Sequence, residues 1–102
     1  MTDEIDGLLA RVKAQQDEVT RIQRSVNEMT VEGHSRENEV TVRLRGTGQF
    51  TEISIDPDVA RRLDPVALGE VVLEAVNDGL RRLGEASTAR FAPIIAQANA
   101  EV

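Results

Sequence analysis

Residues 5 to 29 carry an unbroken heptad repeat, which constrains the fold more strongly than any other feature of the chain. Its members recur at alternating spacings of three and four residues, and Gln15 is the one polar side chain among them. This period predicts a long N-terminal α-helix over about residues 4–29 with a single apolar seam. The seam residues are Ile5, Leu8, Val12, Val19, Ile22 and Val26, followed by Met29.

This seam can be covered in two ways. A β-branched residue occupies every a position when Ile5 is taken as the first, and that pattern favours two-stranded pairing of parallel helices. The seam would then join two copies of the chain as a coiled coil. The same stripe can instead pack on the chain's own sheet and last helix, and the sequence leaves both interpretations open.

Beyond residue 29 the apolar period changes from 3.5 to 2, which is the period of a half-buried strand. Alternating apolar and polar residues predict three strands over about 29–34, 39–45 and 49–56. A polar turn joins the first two, and Gly46-Thr47-Gly48 supplies a tight turn before the third. Because consecutive strands joined by short turns pair with each other, we expect a three-stranded antiparallel meander.

A second long helix is predicted over about residues 65–90. Asp64-Pro65 has the pattern of an N-cap followed by the first helical residue. Pro93 has no backbone N–H to donate within a helix, so we expect a kink or an end near Phe91. Residues 91–102 would then be a tail in which residues 93–99 form a short extra helix or stay loose. The whole chain, 1–102, is therefore predicted to be a single α+β domain.

The composition excludes most catalytic chemistry. The chain has no cysteine and one histidine, His34, so it cannot form a disulfide, a thiolate zinc site or a multi-histidine metal site by itself. Two phenylalanines are its only aromatic residues, which leaves almost no platform for stacking bases. We therefore expect no catalytic residues, no metal and no cofactor, and we interpret the chain as a binding protein.

Cations are few, and nearly all are arginine. Twelve basic residues face eighteen acidic ones, a net charge of −6, so any contact with nucleic acid must be local. Eleven of the twelve are arginines, the side chain best suited to bidentate phosphate contacts. They include four close pairs: Arg21 with Arg24, Arg43 with Arg45, Arg61 with Arg62, and Arg81 with Arg82.

The first residues, Met1 to Asp6, are acidic rather than basic. The sequence contains no apolar run as long as a signal-peptide core or a membrane span. We therefore expect a cytoplasmic protein that does not contact a membrane.

Four short segments occur in a distinctive order over about residues 4 to 90. They are Val31-Glu32-Gly33, Val40-Thr41-Val42-Arg43-Leu44 with Gly46, Ile53-Ser54-Ile55-Asp56-Pro57, and Ala75-Val76-Asn77-Asp78-Gly79-Leu80-Arg81-Arg82. In this order the chain resembles the YbaB/EbfC family of nucleoid-associated proteins, as a diverged, acidic member that we expect to be actinobacterial.

The resemblance implies a homodimer whose sheets join at the centre while the helices project like the arms of tweezers. It also implies binding to duplex DNA with little sequence preference, a location in the nucleoid, and a role in nucleoid organisation or gene regulation. Arg81 and Arg82 correspond to the family's basic pair in the last helix. The projecting arms point to Arg21 and Arg24 as further DNA-binding residues.

Other features of the chain differ from that pattern. Relatives have a glycine-rich stretch where this chain has Ser35 to Glu39. The genes of some actinobacterial relatives lie beside those of specialised secretion systems. The alternative function is therefore a protein-interaction adaptor or chaperone-like module that binds a partner helix rather than DNA. Within the last helix we expect the Asn77 amide to satisfy backbone groups of a strand or loop.

Overall fold

The computed structural model describes residues 2–100, and the side chains of residues 3–96. Two long helices and a three-stranded antiparallel sheet make up the fold, as the sequence predicts. The elements are α1 (Thr2–Glu28), β1 (Thr30–His34), β2 (Val40–Arg45), β3 (Phe50–Ile55), α2 (Pro57–Arg62) and α3 (Pro65–Ala100). The described molecule is elongated, with extents of 74 × 23 × 16 Å.

The sheet is a meander in the order β1-β2-β3, and its central strand supplies the core. Val40, Val42 and Leu44 of β2 are completely buried on one face of the sheet. Strict alternation along β3 would put Phe50 on the opposite face from Ile53. A register shift between Arg43 and Leu44 instead pairs Leu44 with Phe50, so Phe50 packs on the apolar core.

Helix α3 lies across the apolar face of the sheet, and its backbone touches β1. A Cβ built on Gly33 would lie 2.4 Å from the carbonyl oxygen of Ala75 and from the nitrogen of Gly79. Only glycine at position 33 allows an approach this close. Ala75 is fully buried at the same crossing, which fixes the position of α3 along the strand.

The heptad seam of α1 is divided between two environments. Ile22 and Val26, near the C-terminal end of the helix, are buried within the chain. Ile5, Leu8 and the other seam residues toward the N-terminus are exposed. The end of α1 packs on the chain's own fold, and the first part projects as an arm with an uncovered apolar stripe.

Helix α3 continues through Pro93 to Ala100, where the sequence led us to expect a kink or an end near Phe91. Residues 101 and 102 of the expected tail lie outside the described residues. Proline removes the hydrogen bond to the carbonyl four residues earlier, that of Ala89. Both Ala89 and Pro93 are exposed, so water can solvate that carbonyl. The helix also packs along α1 on both sides of the proline: the Arg90 guanidinium donates to Ser25 Oγ, and Ile94 borders a groove lined by α1. The helix therefore tolerates the proline.

Aspartates begin both later helices. Asp56 accepts the N–H of Asp58 at 2.8 Å at the start of α2. Asp64 Oδ1 accepts the N–H of Ala67 at 2.8 Å, which confirms Asp64 as the N-cap of α3. The Asp56 cap fixes the start of α2, and the Asp64 cap fixes the start of α3.

Candidate nucleic-acid interface

A shallow depression of about 600 Å³ lies where α3 passes the outer edge of β1. One side is formed by Arg81 and Arg82 of α3, and the other by residues at the end of β1 and in the β1–β2 turn. We call it the arginine depression and define it by the residues on which its chemistry depends: His34, Arg36, Glu74, Asp78, Arg81 and Arg82.

Asp78 is the central residue of the arginine depression. Its carboxylate accepts the backbone N–H of His34 at 2.8 Å, a contact between residues 44 apart in the chain. The same carboxylate binds Arg81 and also Arg82, whose Nε lies 2.9 Å from Asp78 Oδ2. The Asp78 side chain is 16% exposed, whereas both arginines extend into solvent. Asp78 therefore holds the basic pair against the sheet edge.

Glu74 makes a second contact of the same kind one helical turn earlier. Its Oε1 accepts the backbone N–H of Arg36 at 3.3 Å. β1 is an edge strand, and its outward N–H groups need acceptors. Glu74 and Asp78 supply acceptors at the end of β1 and the start of the turn, and they lock this turn onto α3.

Asn77 is exposed at the side of the depression. The sequence led us to expect its amide to bind a backbone group of a strand or loop, but the Asp78 carboxylate makes this contact, with the His34 N–H. Asp78 and Glu74 were not predicted from the sequence as structural residues. Their spacing of four residues was a signal, because it puts both carboxylates on one side of α3. Identifying the strand edge that they face requires the tertiary fold.

Arg81 and Arg82 keep unused donors. Arg82 binds Asp78 through Nε, and within the described residues its two terminal nitrogens have no hydrogen-bond partner. Arg81 is more constrained, since it contacts Asp78 and also places NH1 3.0 Å from Glu85 Oε1. A phosphate group can approach the terminal nitrogens of Arg82 end-on without breaking its contact with Asp78.

The other predicted DNA-binding residues lie on α1, which contributes nothing to the arginine depression. Arg21 is exposed and paired with Glu18 one turn earlier on the same helix. Arg24 is also exposed. The structure therefore brings Arg81 and Arg82 together at one site and leaves Arg21 and Arg24 on a separate helix.

Arg43 is an unsuitable phosphate ligand. It lies between Glu32 and Glu52 on the polar face of the sheet, with a guanidinium nitrogen 3.0 Å from each carboxylate. The hydrogen bond to Glu32 is the main reason that the pKa of Arg43 lies above its usual value. Carboxylates on the two neighbouring strands already compensate the charge of Arg43. Arg43 with Arg45 is therefore a weaker candidate for phosphate binding than Arg81 with Arg82.

Protonation of Asp78 should weaken the fold. The pKa of Asp78 lies below its ordinary value, chiefly because its carboxylate accepts the His34 N–H, and also because Arg81 and Arg82 bind the charged form; partial burial opposes the shift. A depressed folded-state pKa stabilises the fold above the unfolded-state pKa, about 3.9, and this contribution is lost as the pH falls through the folded-state pKa.

Asp78→Asn should therefore lower the free energy of unfolding by about 1–3 kcal/mol at pH 7. The gap from the parent protein should shrink as the pH falls below about 4. Urea unfolding at a series of pH values measures both quantities. A gap that stays constant from about pH 7 to pH 3 would mean that the charge of Asp78 is not what stabilises the β1–α3 contact.

The described part of the chain offers no site for a metal: no three histidine, aspartate or glutamate side chains in it are grouped to hold an ion. Among its helices, none combines the length and the apolar character that crossing a membrane requires.

Comparison with solved structures supports the fold. The chain is similar to the crystal structure of an uncharacterized protein, HP0035, from Helicobacter pylori, with a TM-score of 0.69. The likeness covers 86% of this chain and 92% of the other, at 18% sequence identity. At that identity the comparison establishes a shared architecture.

Comparison of sequences identifies the family. The chain is 33% identical over 90 residues to a nucleoid-associated protein of Acetivibrio thermocellus, covering 88% of this chain and 80% of the relative. It is 30% identical to the nucleoid-associated protein TTE0040 of Caldanaerobacter subterraneus, covering 88% and 81%. A model of the YbaB/EbfC DNA-binding family, a group of DNA-binding proteins rather than enzymes, matches residues 1–98. The chain therefore belongs to the YbaB/EbfC DNA-binding family.

Proposed function

We propose that this protein binds duplex DNA as a homodimer, with little sequence preference, and acts in the nucleoid in its organisation or in gene regulation. The observation that carries the proposal is the arginine depression, where Asp78 holds Arg81 and Arg82 with donors directed to solvent. Membership of a DNA-binding family and the similarity to nucleoid-associated proteins support it independently.

The affinity would come mainly from the DNA backbone. Arginines that neutralise phosphates release condensed counterions, a sequence-independent source of binding free energy. A chain with a net charge of −6 can use this effect only where cations are concentrated. A twofold dimer presents two copies of the Arg81–Arg82 pair at a fixed separation, so one duplex can contact both.

The apolar surface of the single chain supports the homodimer. Leu73 and Leu80 of α3 are 57% and 46% exposed. β3 is an edge strand, and its Ile53 is 52% exposed although it lies on the apolar face. Uncovered apolar side chains beside an unpaired strand edge are typical of a surface that pairs with another copy.

Leu73→Asp with Leu80→Asp should convert the dimer into single chains, because the charges would be buried at the interface. Sedimentation at micromolar concentration measures the assembly, and circular dichroism checks that each chain stays folded. Leu9→Asp is the matched control, since Leu9 is 61% exposed on the projecting part of α1. A parent protein that sediments as single chains, or a double variant that still dimerises, contradicts this interface.

DNA binding is tested with a fluorescent duplex of about 30 base pairs in fluorescence anisotropy. We expect saturable binding at about 50 mM salt that is about a hundredfold weaker at about 200 mM. An unlabelled duplex of unrelated sequence should compete as well as an identical one. Absence of binding at low salt, or competition only by one sequence, contradicts the proposal.

The uncovered seam on α1 favours a second candidate function. Ile5, Leu8 and Val12 form an exposed stripe, and Ile94 of α3 borders the groove beside it. An apolar stripe at this spacing suits a partner helix, as a protein-interaction adaptor or chaperone-like module would require. This function would be favoured over DNA binding if the chain binds no duplex but forms a stoichiometric complex with a partner protein. Leu8→Asp should then abolish that complex.

A further inference from the structure

We propose that Arg36 is a further phosphate-binding residue, and that one phosphodiester group of the DNA backbone binds between Arg36 and Arg82 in the arginine depression. The inference rests on the proposed function and adds a residue from a different element. Arg36 belongs to the β1–β2 turn, whereas the predicted basic pair belongs to α3.

The turn that carries Arg36 is held rigidly. The Ser35 side chain is buried: its Oγ accepts the Val40 N–H at 3.0 Å and donates to Glu39 Oε1 at 3.0 Å. The Arg36 N–H is bound by Glu74 of α3. Because the backbone on both sides of the side chain is fixed, the Arg36 guanidinium is delivered to the same depression as Arg82 at little cost in backbone entropy.

Carboxylates in the depression are already engaged on their inner side. Asp78 accepts the His34 N–H, and Glu74 accepts the Arg36 N–H. Each therefore has a backbone donor, and Asp78 is also paired with Arg81 and Arg82, which compensates part of the negative charge. The Arg36 guanidinium makes no ion pair with any residue in the described part of the chain.

Two guanidinium groups with unused donors thus border a depression of about 600 Å³ that is open to solvent. One comes from the turn and one from α3, so an anion between them can be bound from two sides. A phosphodiester suits this arrangement because its two non-bridging oxygens can each accept hydrogen bonds from a different arginine.

The test measures duplex affinity over a series of salt concentrations for the parent and for Arg36→Gln. We expect Arg36→Gln to weaken binding about tenfold at about 50 mM salt, and the slope of log K against log salt to become shallower by about 0.9 for each phosphate that is no longer neutralised. Arg45→Gln is the matched control, since Arg45 is exposed at the opposite end of the sheet from the turn. It should bind like the parent.

Arg36→Gln that binds with the affinity and slope of the parent, while Arg82→Gln binds more weakly, overturns the inference and leaves the proposed function intact. Titration with inorganic phosphate, followed by NMR of the arginine Nε–H signals, tests the site without DNA. Shifts confined to Arg36 and Arg82 support a phosphate site between them, whereas absence of duplex binding would refute the proposed function and, with it, DNA as the source of that phosphate. Equal shifts of the Nε–H signals at every exposed arginine overturn the site between Arg36 and Arg82.

Discussion

Replacing Gly33 with alanine is expected to destabilise the protein by at least about 3 kcal/mol. The new Cβ would lie 2.4 Å from the Ala75 carbonyl oxygen and from the Gly79 nitrogen. Both are backbone atoms of α3, so the helix as a whole must move away from β1. That movement would also separate Asp78 from the His34 N–H, and the arginine depression would lose its anchor.

Gly46→Ala should be at least as damaging. Its Cβ would lie within covalent distance, 1.5 Å, of the Val26 carbonyl oxygen at the end of α1. Urea unfolding at a fixed protein concentration measures both variants. Gly7→Ala is the control, since a Cβ there meets no atom within 4 Å, and alanine in an exposed helix should stabilise by up to about 1 kcal/mol. Parent-like unfolding of Gly33→Ala would contradict the close β1–α3 contact.

The combined substitution Arg81→Gln with Arg82→Gln is expected to weaken duplex binding by at least about a hundredfold at about 50 mM salt. A dimer would lose four cations at the proposed interface, and each phosphate contact contributes through counterion release. The slope of log K against log salt should become shallower by about 3.6. Glutamine keeps the side chain polar and long, which limits the change to charge.

Arg61→Gln with Arg62→Gln is the matched control for this experiment. It removes the same charge from an adjacent pair, but on α2, outside the arginine depression. We expect its affinity to stay within about threefold of the parent, through long-range electrostatics alone. Equal losses in the two double variants would show that binding depends on total charge, and the assignment of Arg81 and Arg82 would then be wrong.

The fold was predictable because its signals are local. The heptad spacing predicted α1, the alternation of Val40, Val42 and Leu44 predicted β2, and Asp64-Pro65 predicted the start of α3. The continuation of α3 through Pro93 was not predictable in this way. It depends on solvation of an exposed carbonyl and on packing along α1, and neither can be read from a local pattern.

The candidate site was only partly predictable, for the same reason. Arg81 and Arg82 came from resemblance to the family, and whether they contact DNA stays a prediction. Asp78 gains its role from a strand edge 44 residues away in the chain. Arg36 lines the same depression as the basic pair, in a turn whose backbone binds Glu74 of α3. Contacts of this kind arise when the sheet and the helix have already packed.

The salt dependence of duplex binding by the parent protein tests the central claim most directly, that local arginine pairs let an acidic chain bind DNA. Four phosphate contacts in a dimer predict a slope of log K against log salt of about −3.6 or steeper. A slope near zero, or no binding at about 50 mM salt, would contradict the account.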